Sequence, residues 1–169
     1  MKITRVWNMP NKNTFEIKPI KELINQYTEG KEKIIDPFAN KNKIAHITND
    51  LDIQYDTDYH LDALEFLQLF EDNSVDMVLF DPPYSPRQVS ESYKKLGRSV
   101  NMQTTQASYW SNLKKEIKRI TKTGGIVVTC GWNSGGIGKT NGFAIQEILL
   151  VPHGGWHNDT IITVEKKIK

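Results

Sequence analysis

Val75-Asp76-Met77-Val78-Leu79-Phe80-Asp81-Pro82-Pro83-Tyr84 is the stretch that decides how this chain is organised. Val75–Phe80 is apolar and β-prone and reads as a buried strand. It leaves the sheet through an acid, two prolines and an aromatic ring. Prolines lack an N–H and hold φ at about −65°, so the chain stiffens here and turns its carbonyls outward. The result is a rigid lip with one carboxylate, backbone acceptors and a flat ring at the carboxyl end of a strand. Open α/β sheets bind their ligands at that end. Acceptors beside a stacking ring suit a planar base that carries an exocyclic amine.

Working outward, helical and strand signals alternate. Ile17–Tyr27 carries apolar residues at helical spacing and stops at Gly30. Lys33–Ile35 is a short strand ending in Asp36-Pro37-Phe38, and Ile44–Thr48 is another, ending in Asn49-Asp50. Leu61–Phe70 is an amphipathic helix starting near Asp62, and Ala107–Thr121 a long basic one closed by Gly124-Gly125. Ile126–Cys130 is a buried strand. Phe143–Val151 and Thr160–Glu165 form a hairpin across the glycine-rich Pro152–Asp159 connection. The fold class is therefore α/β, a mostly parallel sheet ending in an antiparallel hairpin.

With 169 residues the chain is one domain, 1–169. Residues 1–30 are an N-terminal segment and helix, and 85–108 a flexible flap beside the lip. The spans from Asp36 to Ile44 and from Asn49 to Leu61 are too short for ordinary helical crossovers, which need about a dozen residues. Helix cover on one sheet face is thus reduced, with the N-terminal helix as its main lid. A second copy of the chain or a partner subunit is expected over the remainder, and a stable monomer in light scattering contradicts that.

Composition narrows the function. The content is 38% hydrophobic and 25% charged, ordinary for a globular protein. No apolar stretch approaches the roughly 20 residues of a membrane span, and no signal-peptide pattern opens the chain. The lone Cys130 fits a reducing cytoplasm. His46, His60, His153 and His157 are scattered and make no metal set with one cysteine. A net charge of +2 excludes a bulk polycation. Lys94, Lys95 and Arg98 nevertheless cluster after the lip, where they can meet phosphates or form a solvated loop.

With the strand and its DPPY ending placed, the chain resembles the S-adenosylmethionine-dependent amino-methyltransferases that modify adenine at N6 in DNA. The resemblance runs along nearly the whole chain. Thr14–Ile20 is like the family's segment near the methionine part of the cofactor, Asp36-Pro37-Phe38 looks like its cofactor motif, and Asp81-Pro82-Pro83-Tyr84 like its catalytic motif. It implies a Rossmann-like class I methyltransferase sheet, S-adenosyl-L-methionine as methyl donor and DNA as partner. Cofactor contacts are implied for Phe15, Asp36, Pro37, Phe38 and Asn40, for Asn49 and Asp50 near the ribose, and for Asp62 and Ala63 near the adenine. Ser85, Arg87, Lys94, Lys95 and Arg98 are implied as nucleic-acid contacts. From the residues alone, Asp50 and Asp62 are equally good caps, and Phe15 an equally good core residue.

Two departures from the family stand out. Ala39-Asn40-Lys41-Asn42-Lys43 replaces the usual glycine-rich continuation, so the backbone should approach the donor less freely. There is also no room for a target-recognition domain. An RNA base methyltransferase acting at guanine N2 or adenine N6 remains an alternative, as does a non-catalytic nucleic-acid-binding subunit.

The lip explains the chemistry. An aromatic amine is a poor nucleophile because its lone pair is shared with the ring. If Asp81 accepts one N–H and the Pro82 carbonyl the other, the lone pair is freed toward the methyl group. A further stretch, Ser134-Gly135-Gly136-Ile137-Gly138-Lys139-Thr140, nearly matches a phosphate-binding loop. The template fails at Asn133, and only 29 residues follow, too few for the sheet a nucleotide hydrolase needs.

Overall fold

The computed structural model describes residues 1–99 and 107–169. Its elements are β1 (Lys2–Arg5), α1 (Lys18–Thr28), β2 (Ile34–Asp36), β3 (Ile47–Thr48), α2 (Ala63–Gln68), β4 (Val75–Phe80), α3 (Pro86–Lys95), α4 (Ala107–Ile120), β5 (Thr121–Gly131), β6 (Phe143–Val151) and β7 (Thr160–Lys167). The strands form one sheet in the order β1-β6-β7-β5-β4-β2-β3. All neighbours are parallel except β7, which runs antiparallel to both β5 and β6.

β4 shows why its sequence is an unbroken apolar run. Met77 and Leu79 face one side and join Ile20, Leu23 and Ile24 of α1. Val78 and Phe80 face the other and join Phe66 and Leu67 of α2, Val89 and Tyr93 of α3, and Leu113 and Ile117 of α4. A strand covered on both faces has no polar alternation. Each fully buried aliphatic side chain in these layers contributes about 1.5–3 kcal/mol.

The expected imbalance of helix cover is present. No helix joins β2 to β3 or β3 to α2, and α1 stands as the helix over its face of the sheet. A run of exposed large apolar residues lies at the N-terminal edge, where Met1, Ile3, Val6, Trp7 and Met9 are open.

Three elements differ from the sequence expectation. β1 had no signal, because a four-residue edge strand shows too little alternation; it forms by pairing with β6, Lys2 beside Glu147 through Arg5 beside Leu150. The segment 85–108 was expected as a flexible flap. Its first part instead forms α3, capped by Ser85, whose Oγ accepts from the Gln88 N–H at 3.3 Å, with Pro86 at the first helical position. Residues 107–108 open α4, and the rest of the expected flap beyond Ser99 lies outside the described residues. Finally, Gly124-Gly125 does not close a helix but sits inside β5, where the register shifts between Val75 and Met77. A Cβ on Gly125 would lie 2.7 Å from Thr121 Cγ2, so only glycine fits this bulge.

Candidate active site

The carboxyl ends of β2, β3 and β4 open onto a cavity of about 500 Å³. This is the usual size of a small-molecule site. Segments far apart in sequence wall it: the Thr14–Glu16 turn, Pro37–Asn40, Asp50–Asp52, Leu61–Ala63, the Asp81–Tyr84 lip and the inner side of α3. The structure therefore brings Phe15, Pro37, Phe38, Asn40, Asp50, Asp62, Ala63, Asp81, Pro82, Pro83 and Tyr84 to one place.

Asp36 and Asn49 stand behind this wall, fully buried. The Oδ1 of Asp36 accepts from the Phe38 N–H at 2.9 Å, while its Oδ2 has no partner. Burial drives this carboxyl well above the usual range, and the nearby Asp81 and Asp50 push the same way. Asn49 is a clamp. Its amide donates to the Pro37 and Leu61 carbonyls at 3.1 and 3.0 Å, and its Oδ1 accepts from the Leu61 N–H at 2.9 Å. It shapes the cavity by tying two wall segments together, and those hydrogen bonds use both of its amide hydrogens.

The glycine-poor loop is solved by Asn40. Its φ is +52°, the left-handed conformation that glycine otherwise supplies and that asparagine tolerates best among the other residues. Its N–H donates to Asp50 Oδ2 at 2.9 Å, and Asp50 Oδ1 accepts from Asp52 N–H at 2.9 Å. Asp50 is thereby held in a fixed pose, with its carboxyl pushed up by burial and pulled back by these two N–H groups. We expect Asn40→Gly to keep donor affinity within about twofold, whereas Asn40→Val, β-branched at positive φ, weakens it at least about tenfold. Calorimetry on the two variants checks this; equal affinities contradict it.

Asp62 caps α2, accepting from Leu64 N–H at 3.0 Å with Oδ1 and from the Tyr93 hydroxyl with Oδ2. It thus fastens α3 across the cavity. At the lip, the Tyr84 hydroxyl donates to Asp81 Oδ1, and Tyr84 N–H donates to Gln88 Oε1 at 2.6 Å. Burial raises the Asp81 carboxyl, while hydrogen bonds from Tyr84 and Thr14 pull it back. The Pro83 carbonyl accepts from Trp110 Nε1 at 2.9 Å, which locks the double proline in place. The Tyr84 ring does not stand free over the lip: it packs toward the α1 layer and meets Trp132 edge-on at 5.5 Å.

Of the residues expected to meet phosphate, only Lys95 borders the cavity, 4.0 Å from Asp52. Ser85 is the α3 cap. Arg87, itself exposed, pairs at 2.7 Å with Glu91, and Lys94 and Arg98 are exposed and do not line the cavity. Gln88 and Tyr93, which hold the lip and Asp62, were not singled out in the sequence. The helical spacing of Val89 and Tyr93 is the signal that marks this inward face.

The phosphate-loop look-alike is filled by the protein itself. Glu165 Oε2 accepts from Ile137 N–H at 2.5 Å and Oε1 from Gly138 N–H at 3.0 Å. A buried carboxylate occupies the place an anion would need. The histidines serve locally; His153, for instance, bridges the Asn8 carbonyl and Thr160 hydroxyl at 2.8 Å each. No described helix is long and apolar enough to cross a membrane.

No protein-family model matches this chain, and no curated protein does. Solved structures do. The chain is similar to TrmN from Thermus thermophilus, at 17% identity over 90% of this chain and 49% of that one, with a TM-score of 0.54. It is similar to 1,6-didemethyltoxoflavin-N1-methyltransferase from Burkholderia thailandensis, solved with 1,6-didemethyltoxoflavin and S-adenosylhomocysteine bound, at 9% identity over 90% and 78% of the two chains and a TM-score of 0.59. The N-methyltransferase NodS from Bradyrhizobium japonicum WM9 is similar at 10% identity over 95% and 100%, with a TM-score of 0.56. The chain spans about half the length of TrmN. The fold is the Rossmann-like class I methyltransferase fold, with a seven-stranded sheet and one antiparallel strand.

Proposed function

We propose that this protein transfers a methyl group from S-adenosyl-L-methionine to the N6 amine of adenine in DNA. The observation that supports it most is the Asp81-Pro82-Pro83-Tyr84 lip opening onto the same cavity as Phe15, Asn40, Asp50 and Ala63. When bound, the donor supplies an electrophilic methyl group on a sulfonium. The cavity suits such a cation, since Asp50 lines it and Asp36, with one oxygen that has no partner, stands directly behind its wall. On this reading Asp50 meets the ribose hydroxyls, Ala63 and Leu61 the apolar face of the purine, and Phe15 the methionine part, all from the wall of one cavity.

Asp81 does the positioning. Its Oδ1 now takes a hydrogen bond from Tyr84, so an incoming amine replaces one donor with another. With Asp81 and the Pro82 carbonyl accepting its two N–H groups, the nitrogen is drawn toward tetrahedral geometry. The raised affinity of Asp81 for a proton lets the same carboxylate hold the proton the amine gives up. Pro82, buried, and Pro83, pinned by Trp110, keep this geometry from relaxing.

A pH dependence follows from the donor-side carboxyls that burial raises, Asp36 and Asp50. A bound cation favours their ionised forms, so donor binding releases protons and affinity tightens as pH rises toward the raised values. Folding runs the other way: the free protein holds these protons more tightly than its unfolded chain. Their contribution to stability is fully present in acid and is lost as pH rises through the raised values, while Asp58 and Asp76, held down by hydrogen bonds from Thr48 and Lys122, contribute with the opposite sign. Calorimetry in two buffers of different ionisation heat reads the protons released; an affinity flat in pH contradicts the cation site.

The function itself is tested by transfer of labelled methyl to matched DNA and RNA, followed by nucleoside separation. Label in N6-methyldeoxyadenosine supports it. Label confined to RNA nucleosides, or absent, contradicts it.

A further inference from the structure

Three of the four tryptophans stand exposed at the end of the sheet that carries the lip. β7 runs antiparallel to both β5 and β6, so β6 is parallel to β5, and β1 is parallel to β6. The chain beyond β1 and the 152–159 connection therefore lie at the same end of the sheet as Asp81. Pairing continues past β1 through Val6 N–H to the Leu150 carbonyl at 2.9 Å and Asn8 N–H to the Pro152 carbonyl at 3.2 Å. His153 Nδ1 and the Asn8 carbonyl, 2.8 Å apart, fasten this edge.

Trp132, 43% exposed, touches Tyr84 of the lip edge-on. Trp7, 58% exposed, lies against the Gly154 turn, where a Cβ would come within 3.4 Å of its Nε1. Trp156, on that turn, is fully exposed. Residues 5–15, 131–133 and 152–159 contain one carboxylate, Asp159, against Arg5 and Lys12, both exposed, and Lys12 stands at the cavity mouth. Asn8 and Asn133 directly follow Trp7 and Trp132 in the chain, and Asn158 lies two residues past Trp156.

Exposed indoles on a core-facing edge usually mark a binding surface. Self-pairing is a poor occupant here, because antiparallel pairing of two β1 strands about Ile3 and Thr4 sets Lys2 against Arg5 of the other copy. A polyanion with flat, apolar rings matches the rim on both counts. We propose that Trp7, Trp132 and Trp156, with Arg5 and Lys12, form a track for a single strand of nucleic acid. Its bases stack on the indoles, and the base to be modified turns inward at the Asp81 lip. This rests on the function proposed above and extends it, giving the described residues a substrate-holding surface of their own.

The test is a fluorescence titration of the full chain with single-stranded oligonucleotides of about ten nucleotides, as DNA, as RNA of the same sequence and as duplex. Stacking quenches the indole emission. Trp7→Ala and Trp156→Ala each weaken single-strand affinity by about 5- to 150-fold, the range of one lost stacking contact. Arg5→Ala and Lys12→Ala each lower the slope of log affinity against log salt by about 0.7. Trp156 touches nothing that could unfold on truncation, which keeps the test independent of stability. Tighter binding of RNA keeps the track and moves the substrate from DNA to RNA. Unchanged affinity in the Trp7→Ala/Trp156→Ala double variant overturns the proposal, as do preference for intact duplex and self-association that Trp7→Ala disperses. Donor binding and methyl transfer, measured on the same samples, separate the two claims: transfer that persists with an inert rim defeats the track alone.

Discussion

Asp81→Ala is expected to abolish methyl transfer, lowering it by at least about 10²–10³-fold, the loss seen when one oriented hydrogen-bonding group is removed from a reacting atom. Donor affinity should change by no more than about twofold, because Asn40, Asp50 and Ala63 are untouched. Tyr84 sharpens the result. Its hydroxyl now occupies Asp81 Oδ1, and the same ring supports Trp132. Tyr84→Phe keeps the ring and frees the carboxylate, so transfer should survive, whereas Tyr84→Ala removes the ring and should lose at least about tenfold. Single-turnover assays at saturating donor check all three. Normal turnover in Asp81→Ala, or equal losses in the two Tyr84 variants, contradicts the assigned roles.

The second large effect is on stability. Gly136 has φ +50°, and a Cβ there would collide with the Glu165 carboxylate that receives the Ile137 and Gly138 N–H groups. Gly136→Ala therefore combines a left-handed alanine, about 1–2 kcal/mol, with disturbance of a buried, charge-assisted hydrogen-bond pair, about 1–3 kcal/mol. A total of about 2–5 kcal/mol lowers Tm by roughly 4–20 °C in a domain of this size. Thermal unfolding followed by circular dichroism measures it. A shift under about 2 °C contradicts the idea that this loop is closed on its own carboxylate rather than open to phosphate.

Much of this was legible because its signals are local. The β4 run and its DPPY ending, the inward stripe of α1 and the hairpin of β6 and β7 follow from apolar spacing and turn residues within single segments. The short links around Asp36 and Asn49 also foretold the thin helix cover. What was not legible depends on partners distant in sequence. β1 is a strand only because β6 lies beside it, and Asn49 is a clamp only because Pro37 and Leu61 meet there. The charges of 87–98 masked a helix that Ser85-Pro86 announces. Asn40 replaced a glycine in the expected motif by supplying the same backbone angle, which residue identity alone does not reveal. The tryptophan rim required the sheet order, since Trp7, Trp132 and Trp156 belong to three separate segments.

The claim that everything else depends on is that the cavity beside the lip takes a methyl sulfonium donor. Isothermal titration of S-adenosyl-L-methionine into the full chain tests it most directly. The expected result is one site per chain, an affinity that tightens with pH, and loss of binding when Ala63→Trp fills the purine wall. Absence of binding heat at millimolar donor, or binding that Ala63→Trp leaves intact, contradicts it.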